Sequence, residues 1–379
     1  MQFSISDELE MTRAVLREFA ESEVATRAIE RDEKEQFDQS LFDQLAKLGI
    51  TGIPIDDLNG GAGSDWMTFI IVIEELARVC ASTAALLAAH TVYAAMPIFT
   101  FGDDALKALY LNDLAKGVKL GGCALPLTVV GNEGLSSSIS ARRRGDHWEL
   151  SGKHTCVIHG DIADYCIVIA KTELKRKKSL CTAFLIETSK AGWQIGQRVR
   201  TMGLRSFHIS NVKLDKCELS ETNKIGKDGQ GFEIILNSID IGHLSAAAQS
   251  IGIAQGAFEA AAAYAKERKQ FGHLIGKQQG ISFKLADMAT QLEAARLLAY
   301  QAAWRKDEGL SFAKEAAIAR KFAAETAVAV AIEAVQIFGG YGYMQEYRME
   351  RFLRDAKCVE TELGTGGMEV DCIHRMLKE

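Results

Sequence analysis

The order of apolar and polar positions divides the chain into three stretches. Leu9, Met11, Val15, Leu16, Phe19 and Val24 recur at helical spacing and predict a helix over 5–30. Asp38 then stands ahead of Leu41, Phe42, Leu45 and Leu48, and Gly49 follows them, the pattern of a capped and terminated second helix. Beyond the loop-forming Asn59-Gly60-Gly61-Ala62-Gly63, a long apolar helix is expected from 66 to about 90, and one more over 103–116. From about Gly121 the pattern becomes that of strands. The runs 148–152, 165–170, 182–186 and 212–215 are short, mostly β-branched or aromatic, and bounded by turn residues. After Lys227-Asp228-Gly229-Gln230-Gly231 the helical period returns, with alanine-rich helices expected over 245–269, 283–306 and 313–338. Long helices with small residues pack closely, as in a four-helix bundle.

The order implies an α+β chain of three parts: a helical domain over 1–120, a β domain over 121–225 and a helical bundle over 226–379. A length of 379 residues suits several structural units rather than one core. The net charge of −6 gives no basis for binding nucleic acid or an anionic membrane. The most apolar runs, such as 86–96, look too short and interrupted to cross a bilayer. Eight cysteines lie far apart, with no C-x-x-C and no metal-ligand cluster, so neither zinc nor a disulfide framework is expected. Reduced thiols, and an N-terminal stretch without the basic start and apolar core of a signal peptide, point to a cytoplasmic protein.

Several strings then occur in a fixed order. They are Ile73-Glu74-Glu75-Leu76-Ala77-Arg78, Glu267-Arg268-Lys269-Gln270-Phe271-Gly272, and Q-x-x-x-F-K-L-A-D-M over 279–288. A-V-Q-I-F-G-G-Y-G-Y over 334–343 and R-D-A-K over 354–357 complete the set. Together they resemble the acyl-CoA dehydrogenase family, its short-chain branch in particular, across nearly the whole chain. The resemblance implies a FAD flavoprotein that forms a homodimer or homotetramer. It implies an oxidoreductase acting on an acyl thioester carried by CoA or an acyl-carrier protein, with an electron-transfer flavoprotein as a partner. It places Arg268 and Gln279 at the FAD diphosphate and adenine end, with Phe271 beside them, and Gln336, Gly339 and Gly340 in the segment that reaches a neighbouring subunit's cofactor. Thr365 matches the threonine after the family's catalytic glutamate and glycine. Taken singly, Arg268 also reads as a helix-end residue and the two glycines as a helix terminator.

Around the flavin ring the chain departs from the family. Its strand L-T-E-P-G-x-G-S-D reads here Leu125-Pro126-Leu127-Thr128-Val129-Val130-Gly131-Asn132-Glu133, where Asn132 can still donate a hydrogen bond. The aromatic-I-T-N string is Cys156-Val157-Ile158-His159, and Ile158 has no hydroxyl for the flavin edge. The catalytic glutamate's place holds Leu363, and the alternative helix position for a base holds Gly242. Glu362 and His243 are the candidate substitutes. Loss of the base argues against ordinary α,β-dehydrogenation. The alternative is a non-catalytic partner subunit, or a silent thioester-binding member, of a hetero-oligomer.

Overall fold

The computed structural model describes residues 6–124, 129–130, 134–135, 138–173 and 179–361. The helix expected over 5–30 is α1 (Asp7–Phe19) and α2 (Ala28–Lys34), joined by a π-turn and a 3₁₀ turn. The Ser6 hydroxyl accepts from the Leu9 N–H at 3.3 Å, and acidic residues fill the first turn of α1, where the helix dipole is positive. Asp38 caps α3 (Gln39–Lys47) in the same way. The helix expected from 66 to 90 is broken. Cys80 is extended (φ −152°) and separates α4 (Trp66–Val79) from α5 (Ala81–Ala88), after which a π-turn over Ala89–Ala95 leads into α6 (Met96–Phe101). The stretch Ala81–Phe101 is, contrary to expectation, long and apolar enough to cross a membrane by length and composition. So is Ala313–Tyr343. The first of these is 78% buried inside the chain, so its apolar surface forms core. Two short helices, α7 (Asp104–Leu106) and α8 (Asn112–Ala115), lead to the strands.

The strands run from β1 (Gly121–Ala124) through β2 (Val129–Val130), β3 (Gly134–Leu135), β4 (Ile139–Arg144) and β5 (His147–Ile158). They continue with β6 (Tyr165–Glu173), β7 (Ser179–Glu187), β8 (Trp193–Arg198), β9 (Ile209–Ser220) and β10 (Lys224–Ile225). Among the described residues one sheet has the order β10-β7-β6-β1-β5-β9-β8, with β4 beside β5 and β6. Alternation along β6 and β7 divides their side chains between two cores. Ile167, Ile169, Ala183 and Leu185 join the helices, whereas Cys166, Val168, Phe184 and Ile186 pack with Trp148 and Trp193 on the other face.

The helix expected from 245 begins earlier, as α9 (Gly231–Glu267), and runs 37 residues. A hairpin of β11 (Lys269–Gln270) and β12 (His273–Leu274) follows, then α10 (Gln279–Asp307), α11 (Ala313–Phe338) and α12 (Met349–Thr361). Helix α9 is the axis of the helical core. A Cβ at Gly252 would lie 2.2 Å from the Glu74 carbonyl oxygen, and one at Gly256 equally close to that of Arg78, so α9 and α4 touch backbone to side. The string Glu74 to Arg78 lies in this contact. Glu74 pairs with Arg296 at 2.9 Å and accepts from the Tyr300 hydroxyl at 2.8 Å, while Arg78 pairs with Glu75 and Glu259. These buried charges tie α4 to α9 and α10.

Candidate active site

A cavity of ≈290 Å³ opens where the three parts meet. The N-terminal helices supply Ala85, Ala88, Ala89, Val92 and Tyr93, and β5 supplies Cys156 and Ile158. The β8–β9 connection contributes Val199, Thr201, Leu204 and Phe207, α9 contributes Gly242, Ser245, Ala246 and Gln249, and α12 contributes Cys358 and Thr361. The R-D-A-K string holds one wall in place. Asp355 accepts from the Leu204 N–H at 2.7 Å and Arg354 donates to the Met202 carbonyl at 3.1 Å, which pins the β8–β9 connection against α12, while Arg354 also pairs with Asp32 of α2 at 2.7 Å. Full burial pushes the Asp355 carboxyl up to about 6.

The cavity is apolar. No carboxylate, lysine, arginine or histidine lines it among the described residues. Burial raises the Cys156 thiol, so it faces the cavity protonated. Ile158 stands on the wall, as expected, and offers only hydrocarbon. His243 does not reach the cavity. Its neighbour Gly242 does, and one residue along an α-helix turns a side chain by about 100°. His243 is instead buried near Arg320, and burial followed by that positive charge lowers its imidazole to about 3. A nitrogen that resists protonation this strongly is a poor base, and the structure places the candidate His243 in the core rather than on the cavity wall. Asn132, Glu362, Leu363 and Thr365 lie outside the described residues, although Thr361, immediately before them in sequence, lines the cavity.

A second, open groove of ≈500 Å³ lies elsewhere on the helical bundle. Arg268, at the C-terminal end of α9, faces Gly339 and Gly340 at the end of α11 across it, between Tyr264, Phe338 and Tyr341. The Arg268 guanidinium lies 5.7 Å from the Tyr341 ring centroid and has no carboxylate partner among the described residues. Gly339 adopts φ +61° with ψ −134°, a conformation that side chains exclude, and a Cβ on either glycine would meet no atom within 4 Å. Phe271, 91% exposed at the hairpin tip, and the exposed Gln279 and Gln336 surround this groove in sequence but do not line it. Among the described residues, none lines both the groove and the cavity.

Family models for the acyl-CoA dehydrogenase N-terminal, middle and C-terminal domains match residues 6–118, 130–217 and 229–378. The chain is 39% identical to the short-chain specific acyl-CoA dehydrogenase of Clostridium acetobutylicum, covering 97% of both proteins. The chain belongs to the acyl-CoA dehydrogenase family. It is 35% identical to the caffeyl-CoA reductase–Etf complex subunit CarC of Acetobacterium woodii, over 98% of each protein. The structure of butyryl-CoA dehydrogenase from Megasphaera elsdenii superposes with a TM-score of 0.94, at 36% identity and full coverage of both chains. The three-part α, β, α fold is that of the family. FAD is the family's cofactor, and the residues present suit one end of it. Arg268 supplies an uncommitted guanidinium fork matched to phosphate oxygens, beside bare glycine backbone and aromatic rings. Tyr93, Thr201, Ser245 and Gln249 were not anticipated as site residues. Ser245 and Gln249 left one trace, as polar residues spaced by one helical turn within an alanine-rich run.

Proposed function

We propose that this member of the acyl-CoA dehydrogenase family is a FAD-dependent oxidoreductase that takes a short acyl thioester, carried by CoA or by an acyl-carrier protein, into the apolar cavity. The observation that carries the reading is the pair of separate clefts: an apolar cavity at the junction of three domains, and an open groove whose arginine has no carboxylate partner among the described residues. The cofactor, when bound, supplies a hydride acceptor. The chain's own residues hold and desolvate. Arg268 and the glycines at 339 and 340 hold the diphosphate end, and the cavity walls exclude water from the acyl group. The resemblance of the segment 336–340 to the family's cross-subunit segment supports a homo-oligomer in which the groove of one copy serves the cavity of another. The names of two relatives support the substrate class and an electron-transfer flavoprotein as electron acceptor.

The described walls carry no carboxylate, and the base position is Leu363, so ordinary removal of an α-proton lacks its usual acceptor. The same observation favours a second reading, a non-catalytic subunit that binds a thioester beside an active paralogue. The purified protein, mixed with excess FAD and desalted, is expected to keep a flavin absorption band that an acyl-CoA or acyl-carrier-protein thioester perturbs or bleaches under anaerobic conditions. A protein that stays colourless overturns the oxidoreductase reading, and a co-purifying paralogue then supports the second.

A further inference from the structure

Gly242, Ser245, Ala246 and Gln249 follow the i, i+3, i+4, i+7 spacing of one helix face, and all four line the cavity. Ser245 and Gln249 are each only 3% exposed, so their polar atoms have little access to bulk water. Gln249 Nε2 donates to the Ala81 carbonyl at 2.9 Å, which fixes the amide and leaves Oε1 without a donor among the described residues. Ser245 Oγ donates its one proton to the Ile241 carbonyl at 3.2 Å and keeps its lone pairs. Both remaining atoms are acceptors. Opposite them, Tyr93 closes the wall: its hydroxyl oxygen lies 2.0 Å from where a Cβ on residue 242 would stand. The cavity thus has no room for a side chain at that position while Tyr93 stays in place.

A wholly apolar acyl chain would cover these acceptors without pairing them, and buried acceptors left unpaired are costly. A ligand O–H or N–H would satisfy them. An ammonium group is a poor match, because no carboxylate among the described residues lines the cavity to balance its charge. On the reading that this cavity takes an acyl thioester, we infer that the preferred acyl group carries a neutral hydroxyl, which donates its one proton to Gln249 Oε1 or to Ser245 Oγ.

The test uses FAD-loaded protein and three thioesters: butyryl-CoA, 3-hydroxybutyryl-CoA and 4-hydroxybutyryl-CoA. Binding is followed by perturbation of the flavin spectrum and, independently, by equilibrium dialysis. At least one hydroxyacyl thioester is expected to bind about tenfold tighter than butyryl-CoA, the worth of one or two hydrogen bonds. In Gln249→Met and Ser245→Ala the ratio should fall toward one. Equal affinities in the native protein, or a preference that survives in both variants, overturn the inference. Failure of all three, and of the same acyl groups on an acyl-carrier protein, to bind a flavin-loaded protein overturns the acyl-thioester reading itself, a distinct result.

Discussion

Acid should destabilise this protein, and the buried histidines set the sign. His90 Nε2 donates to the Leu114 carbonyl at 2.9 Å, while its Nδ1 accepts from the Gly121 N–H at 3.0 Å. His159 Nδ1 in turn donates to the Gly121 carbonyl at 2.9 Å. The two rings therefore clamp one residue of β1 from opposite sides, and a proton on His90 Nδ1 would face the Gly121 N–H. Burial lowers both to about 4, and His243 to about 3, from an ordinary 6.5. A fall from 6.5 to about 4 corresponds to about 3 kcal/mol. The unfolded chain takes up these protons from pH 6.5 downward and the native state does not, so stability is lost as pH falls through that window. Asp307 and Asp355 act the other way. Burial raises each from 3.8 to about 6, so the native state binds their protons first and gains stability on acidification, about 3 kcal/mol at the fully buried Asp355 and less at the solvent-screened Asp307. The three histidines outweigh the two carboxyls, and the depressed carboxyls of Asp38, Asp161 and Glu259 act with the histidines, so stability falls between pH 7 and pH 4 by several kcal/mol, a large part of a domain's stability. Equilibrium urea denaturation of the flavin-free protein at pH 7.5, 6.0 and 4.5 measures it. His90→Asn should flatten the dependence on pH, and Asp355→Asn, which keeps an acceptor for the Leu204 N–H, should steepen it. Native stability that is flat or rises toward pH 4.5, or two variants that move the slope the same way, would refute the reasoning.

Arg268→Ala should weaken FAD binding roughly tenfold to a hundredfold, the worth of a charge-assisted fork; isothermal titration of the flavin-free protein reads this, and unchanged affinity displaces the diphosphate from the groove. Gly252→Ala should cost about 1–3 kcal/mol, because the added methyl would stand 2.2 Å from the Glu74 carbonyl oxygen; an unchanged urea midpoint would contradict the close contact of α9 with α4. Leu363→Glu should allow an acyl-CoA thioester to bleach the bound flavin, and a variant that keeps flavin yet never bleaches points to a second defect at the ring. Gly242→Glu alone should fail to give such bleaching, because Tyr93 occupies its path, whereas Gly242→Glu with Tyr93→Ala should succeed if the helix position can hold a working base.

The fold was legible because its cues are local and ordered. The cap at Asp38, the β-branched and aromatic runs of β6 and β7, and the run of family strings each depend on neighbours in sequence. What escaped was decided by tertiary contact. The break at Cys80 carries neither glycine nor proline, and nothing in Arg78-Val79-Cys80-Ala81 announces an extended residue between two helices. Strand β1, Gly121-Gly122-Cys123-Ala124, shows no alternation because it is covered on all sides, between β5 and β6 and under His90 and His159. The early start of α9 was hidden by the Gly231 turn signal, although Ile234, Ile235 and Ile239 already carry the helical period.

The site was legible only where its chemistry lies within one string. Arg268 and the Gly339-Gly340 pair could be named because they sit in strings that resemble the family's, and the fold places them along one groove. The cavity is different. Tyr93, Thr201, Ser245 and Gln249 come from three separate segments, and none belongs to a recognisable motif. His243 shows the limit from the other side. A histidine next to a family base position looks like a substitute in one dimension, yet helix geometry gives the cavity to Gly242 and leaves the imidazole in the core. With Tyr93 against Gly242, a base on that helix position would need both residues to change. A single-residue return to the usual proton abstraction is therefore not open at Gly242, and the acceptors on α9 are polar groups of the described walls that a substrate must match.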